Sequence, residues 1–309
     1  MGIPKELQQR GFSGRVREKV PLAGLTTYRI GGPAEALVEP VRDEDVEIVV
    51  RFVGDTATPL YVLGGGSKIL APDEGAPGIV MLLGDLFAGI EVRGETIEAA
   101  AGVPNALLAE TAARSGLRGF EWICDIPGRV GGSLVQNTGM NECCVSGPLE
   151  SVTFLRSDVR LQTAGRDALE FGYRSSSFKT WGDAVIVSAR FRLGERGNPD
   201  EITGEMEAVR HSRHSKFPVS QPTCGSVFKR PEGHFPGKLI EDCGLGGTAI
   251  GGAAISTMHH NFIVNTGAAT AADVKALVDL VTRRVLERTG ISLERELIYL
   301  EETLFRPRG

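Results

Sequence analysis

The chain has 309 residues, of which 41% are hydrophobic and 24% charged, with a formal net charge of −5. That composition is ordinary for a folded protein of two or three domains with ample core. The acidic balance argues against nucleic acid as the main partner, so an anionic ligand must be met by a local cluster of cations.

The N-terminal stretch MGIPKELQQRG has no apolar run of the secretion-signal kind. No apolar stretch reaches 18 residues anywhere, so no membrane partner is expected and the location is read as cytoplasmic. From 20 to 83 the chain alternates short pieces. Ala34–Val38 is apolar, Asp43–Val53 has helical spacing, and Leu60–Leu63 and Gly78–Leu83 are glycine-bounded apolar runs expected to be buried strands. This reads as a small α/β unit.

Residues 84–200 read as α+β with antiparallel pairing. Ile90–Val92 and Thr96–Ala100 are strand candidates around Gly94. Pro104 is expected at the first position of a helix ending at Gly116. Ser151–Leu155 and Val159–Gln162 are expected to form a hairpin, and Ala184–Leu193 alternates as a half-buried strand. Residues 201–213 look helical. The last helix is the best defined: Thr270 and Asp273 suggest a capping box, Val274, Leu277, Val278, Val281, Val285 and Leu286 form an apolar stripe, and Gly290 ends it.

The five cysteines, Cys124, Cys143, Cys144, Cys224 and Cys243, are odd in number and lack zinc-site spacing, so reduced thiols and no metal are expected.

Two glycine-rich loops could turn backbone N–H groups toward a pyrophosphate or flavin. The first is Gly64, Gly65, Gly66, Ser67 and Lys68, after a strand but without the Walker A order. The second runs from Asp125 through Gly128, Arg129, Gly131 and Gly132 to Asn137 and Gly139. Taken alone, each could equally be a connecting turn. A third loop, Phe171–Lys179, sets Arg174 among serines and aromatics. Farther on, Gln221–Cys243 places Ser226 in a Gly-Ser turn close to Lys229, Arg230 and Lys238. A hydroxyl beside cations suits protonation of a carbanion next to a carboxylate.

In order, Thr26–Gly32, Gly64–Lys68, Ile126–Asn137, Phe171–Phe178, Gly225–Lys229, Ile250–Ser256, Asn261–Asn265 and Leu293–Glu296 resemble the UDP-N-acetylenolpyruvoylglucosamine reductase family over about residues 20 to 300. The short link to Gly237-Lys238-Leu239-Ile240 is similar to the family's shorter type, without an inserted substrate-covering loop. The resemblance implies an α+β fold: a two-part FAD-binding module of the vanillyl-alcohol-oxidase type plus a C-terminal α+β substrate domain. The expected divisions are 1–84, 85–203 and 204–295, with 296–309 returning to the first part.

The resemblance further implies bound FAD, NADPH as co-substrate and a UDP-sugar enolpyruvate as substrate. Hydride would reach C3 of the enolpyruvyl group from flavin N5, and Ser226 would protonate C2. Arg174 would hold the carboxylate and Glu296 would stabilise charge. FAD contacts would come from Gly64–Lys68, from Ile126, Pro127, Gly128, Val130, Gly131, Gly132, Asn137 and Gly139, and from Ile186 and Arg213. Lys216, Lys229, Arg230 and Lys238 would contact substrate, with Lys216, Lys229 and Arg230 favouring the Ser226 alkoxide. His259, His260 and Asn261 would line the third domain, in structural or binding roles. A monomer is expected.

The chain departs from the family pattern at Arg129, at Lys68 (usually Asn) and at Met140-Asn141-Glu142. Lys68 and Arg129 would add positive charge near the pyrophosphate. A reductase of another enolpyruvyl nucleotide and an FAD oxidase on the same scaffold stay open as alternatives.

Overall fold

The computed structural model describes residues 2–306; residues 307–309 of the expected returning segment lie outside the described residues. The first sheet orders Arg15–Pro21, Pro33–Glu39, Ala76–Leu82 and Leu60–Leu63, with the first pair antiparallel and the others parallel. Helix Asp43–Thr56 buries Val46, Val49, Val50, Phe52 and Val53 in one core with Ala36, Val38, Leu60 and Ile79. Its acidic first turn suits the positive end of the helix dipole. Buried Asp45 accepts from the Ser13 and Val41 backbone N–H groups, which fixes the chain entering the helix.

The second sheet is antiparallel throughout, ordered Leu161–Gly165, Leu149–Arg156, Ala184–Arg192, Thr96–Ala100 and Ile90–Arg93. The hairpin pairs Thr153 with Thr163, not residues as early as Val159. Val159 takes the left-handed region (φ 56°), and Asp158 accepts from Arg160 N–H, so the turn is wider than the sequence suggests. In Ala184–Arg192, Val185, Ile186 and Val187 are all buried, so the alternation holds only beyond Ser188. Pro104 serves as the N-cap of helix Asn105–Arg114, one position before the expected place. Its extended ψ of 142° puts it outside the helix while its carbonyl accepts from Leu108 N–H.

The third sheet orders Thr223–Ser226, Phe262–Asn265, Ala253–Ile255 and Ala249–Ile250. Helix Ala271–Thr289 covers it, with both halves of the Thr270/Asp273 capping box formed and Gly290 at φ 71° closing it. Leu286 is 48% exposed and falls outside the stripe, because one residue beyond Val285 is rotated about 100° around the helix. Helix Pro199–Lys216 exceeds the expected 201–213 at both ends. Asn198 caps its start, accepting from Asp200 N–H.

The chain then turns back. Strand Ile298–Tyr299 pairs in parallel with Ile69–Leu70, and Phe305 N–H donates to the Leu60 carbonyl. The Thr26–Gly32 segment ties the first and third units together. Thr27 Oγ1 donates to the Thr223 carbonyl at 2.7 Å, and Asn265 Nδ2 to the Tyr28 carbonyl at 3.0 Å. Among the described residues, no helix is long and apolar enough to cross a membrane, and no group of three or more metal-ligating side chains gathers. All five cysteines are free thiols.

Candidate active site

The two glycine loops lie against each other. A Cβ on Gly65 would sit 2.8 Å from the Gly128 Cα, and one on Gly66 only 2.1 Å from the Leu25 carbonyl oxygen. Contact that close is open only to residues without side chains. Among the described residues, the N–H groups of Gly65, Gly66 and Ser67 donate no hydrogen bond. Free amides converging from a glycine turn make an anion-binding concavity. Gly64, Gly65 and Arg129 line a groove of about 580 Å³ that continues past Arg17 and Thr26. The Arg129 guanidinium is held there by Asp85 at 2.8 Å and by the Gly102 carbonyl at 2.6 Å.

The second loop is fixed from beneath by a residue the sequence reading passed over. Asn105, 1% exposed, donates to the Ile126 carbonyl and accepts from Ser133 Oγ, while its own N–H donates to the Gly128 carbonyl. Only the Pro-Asn helix start could have pointed to it. Val130 and Gly131 N–H groups donate to the Val103 and Ala101 carbonyls, so these two residues hold the loop and leave Gly132 open. Asn137 (φ 42°) donates through Nδ2 to the Gly172 carbonyl, while its buried Oδ1 has no partner. An orphaned acceptor costs roughly 1–3 kcal/mol unless a ligand donates to it. Unbonded amides in the first glycine loop and an unpartnered buried acceptor in the second are groups that a bound dinucleotide flavin would satisfy. Ile186 is buried in the core, and Arg213 reaches the same loop from behind through Asp125 at 3.0 Å.

A second cavity of about 390 Å³ is lined by Ser226, Arg174, Glu296, Arg230, Lys238 and His259 among others. Four separate parts of the chain meet at its floor. Arg174 occupies the turn between Phe171–Gly172 and Ser175–Ser176 at φ 55°, and its Nη2 donates to the Gly139 carbonyl at 3.2 Å. Its Nε donates to Glu296 Oε1 at 2.9 Å. Glu296 is 6% exposed and is placed by its own N–H, which donates to the Val227 carbonyl. Lys68 Nζ lies 3.0 Å from the same Oε1 and donates to the Ser226 carbonyl at 2.8 Å. Ser226 follows Gly225 (φ 77°) at the end of its strand, and its Oγ makes no hydrogen bond among the described residues.

The other expected cations are spread more widely. Lys229 pairs with Glu294, and Lys238 with Glu241 and Asp242 at the cavity edge. The Arg230 guanidinium sits 4.0 Å above the exposed Phe235 ring, and its N–H donates to Tyr173 Oη. Lys216 is exposed at the end of its helix and does not line the cavity. The ammonium that touches the Ser226 backbone is that of Lys68, which points away from the groove where its charge was expected. Asn261 supports the strand beside Ser226 by exchanging two hydrogen bonds with the Phe228 backbone. Burial pushes the His259 imidazole below its ordinary range, helped by His260, against its own backbone bond. Burial also pushes the Cys224 thiol up to about 11, so it stays protonated and inert.

Residues 217–300 match the C-terminal domain of UDP-N-acetylenolpyruvoylglucosamine reductase, and residues 34–158 match an FAD-binding domain. The chain is 42% identical over 289 residues to the UDP-N-acetylenolpyruvoylglucosamine reductase of Synechococcus sp. strain WH7803, covering 92% of this chain and 93% of that one. It is 39% identical over 289 residues to that of Streptococcus pneumoniae, covering 94% and 90%. The crystal structure of the Thermus caldophilus reductase superposes with a TM-score of 0.78 at 36% identity, covering 93% of this chain and 99% of that one. On these grounds the chain is an FAD-dependent oxidoreductase that belongs to the UDP-N-acetylenolpyruvoylglucosamine reductase family.

Proposed function

We propose that the protein reduces UDP-N-acetylglucosamine enolpyruvate to UDP-N-acetylmuramate, with NADPH as the electron donor. The observation that carries this reading is Arg174, Glu296 and Ser226 lining one cavity, with the Lys68 ammonium on both Glu296 and the Ser226 carbonyl. The flavin, when bound in the glycine cradle, supplies the hydride that C3 of the enolpyruvyl group receives. Negative charge then develops at C2 and spreads into the carboxylate.

The protein's task is to meet that charge and deliver a proton. Lys68 and Arg174 with one carboxylate between them leave an excess of one positive charge next to the serine. At roughly 4 Å and an effective dielectric near 20, one cation stabilises a developing anion by about 4 kcal/mol. That is roughly a thousandfold in rate. Arg174 retains guanidinium hydrogens beyond those given to Glu296 and Gly139, and these suit the substrate carboxylate. Ser226 Oγ, uncommitted within the protein, donates its proton to C2. Lys238 and Arg230, at the cavity edge, suit the diphosphate side of the substrate. Lys216 and Lys229 stand farther out.

A second reading is a related enolpyruvyl nucleotide as substrate. It rests on the turn at Asn141 (φ 56°) between Gly139–Met140 and Cys143–Cys144, whose Gly139 carbonyl contacts Arg174. NADPH consumption with UDP-N-acetylglucosamine enolpyruvate against other enolpyruvyl nucleotides tests both. No consumption with any of them would overturn the proposal.

A further inference from the structure

Lys68 closes the cofactor loop, yet its side chain leaves the cofactor side. Gly64 and Gly65 line the groove and Lys68 does not. Its carbonyl accepts from Ile298 N–H at 2.9 Å, which fixes the residue against the returning strand. Its ammonium then reaches the third unit, 2.8 Å from the Ser226 carbonyl and 3.0 Å from Glu296 Oε1. Arg174 Nε occupies the same carboxylate oxygen at 2.9 Å. Glu296 Oε2 accepts no hydrogen bond among the described residues, so the double clamp on Oε1 leaves one oxygen free. Two cations on one oxygen repel each other, and the charge between them offsets that repulsion.

We propose that Lys68 is a positioning residue for the reaction: it binds the peptide that presents Ser226 and the carboxylate of Glu296 in one grip, registering both against the flavin loop from which it springs. The proposal rests on the reading of Ser226 as proton donor. Its physical content is coupling. A displacement of the acid by about 1 Å costs on the order of a hundredfold in rate. Lys68 ties the acid to the cofactor loop by a single side chain.

The test uses the FAD-loaded enzyme and Lys68→Met, which keeps length and removes charge. Flavin reduction by NADPH should stay within about threefold, while flavin reoxidation by the enolpyruvyl substrate should fall about a hundredfold. In a Glu296→Gln background the same change should cost under about threefold more, because its partner is already lost. Independently of turnover, the melting temperatures of Lys68→Met, Glu296→Gln and the double variant should be non-additive by at least about 2 °C. Unchanged reoxidation, losses that multiply, or additive melting shifts would each overturn the proposal. So would a tenfold weaker FAD affinity with unchanged reoxidation, which would return Lys68 to the cofactor side. If wild-type enzyme is not reoxidised by the substrate, the functional reading fails, and the melting cycle still decides whether the grip exists.

Discussion

Arg174 and Glu296 meet at 2.9 Å across 122 positions of sequence. The arginine comes from a loop beside the flavin cradle, and the glutamate from the segment where the chain leaves its third unit. Their contact closes one wall of the cavity that Ser226 also lines. Arg174→Lys keeps the charge but loses the planar fork. Reoxidation of reduced flavin by substrate should fall about a hundredfold, on the scale of a lost transition-state donor. FAD content should be unchanged. Stopped-flow absorbance at the flavin band reads both.

Ser226→Ala should leave flavin reduction by NADPH intact and slow the second half-reaction by 10²–10⁴-fold, roughly the contribution of a positioned acid. Solvent deuterium should slow the wild-type step more than the residual step. A variant as fast as wild type would remove the acid from Ser226.

Gly65→Ala forces a Cβ to within 2.8 Å of the Gly128 Cα, so one glycine loop must move. We expect FAD affinity to fall by at least about tenfold, roughly 1.4 kcal/mol. Titration of apoprotein by flavin fluorescence measures it. Gly54→Ala, in the helix Asp43–Thr56 away from both glycine loops and where a Cβ meets nothing within 4 Å, is the control for a mere loss of backbone freedom.

His259 carries a folded-state pKa below its ordinary value, from burial first. The unfolded chain therefore binds more protons over that interval, and stability rises with pH through it. Stability should drop as pH falls below about 6.5 and level off once the folded-state value is passed. His259→Phe keeps ring packing against Phe217 and Phe262 and should flatten this part of the curve. Denaturant midpoints between pH 5 and 8 test it.

Thiol labelling of the native protein should mark Cys143, which is exposed, and spare Cys124 and Cys224 until unfolding. Burial raises both protected thiols, Cys224 to about 11. Peptide mapping after alkylation distinguishes them.

The sequence carried most of the local structure, because capping and periodicity act within one turn or strand. Thr270 with Asp273 caps the last helix, and Val274 through Val285 mark the face it buries, both legible from local spacing. The glycine loops were legible as places of close approach, although not what they approach: Gly65 needs Gly128, far along the chain. Lys68 shows where such reading stops. Adjacent to serine in a phosphate-like loop, it reads as a cation for the cofactor. Its direction is set by strand Ile298–Tyr299 beside it, which no local pattern reveals. Lys229 and Arg230, near Ser226 in number, turn to Glu294 and Phe235 in space, which sequence distance alone does not reveal. Asn105 was hard to see because its partners, the Ile126 and Gly128 carbonyls and the Ser133 hydroxyl, lie more than twenty residues along the chain.

The returning strand also imposes an order of events. Ile298–Tyr299 can pair with Ile69–Leu70 only after all the residues between them have left the ribosome. The N-terminal parts can fold during synthesis. Glu296 follows Lys68 and Arg174 in the chain. A nascent chain in which residue 296 is not yet free holds those two cations with no carboxylate between them. The Lys68–Glu296–Arg174 cluster is then late to assemble, and a protease cut between the final long helix and Glu296 would take it apart.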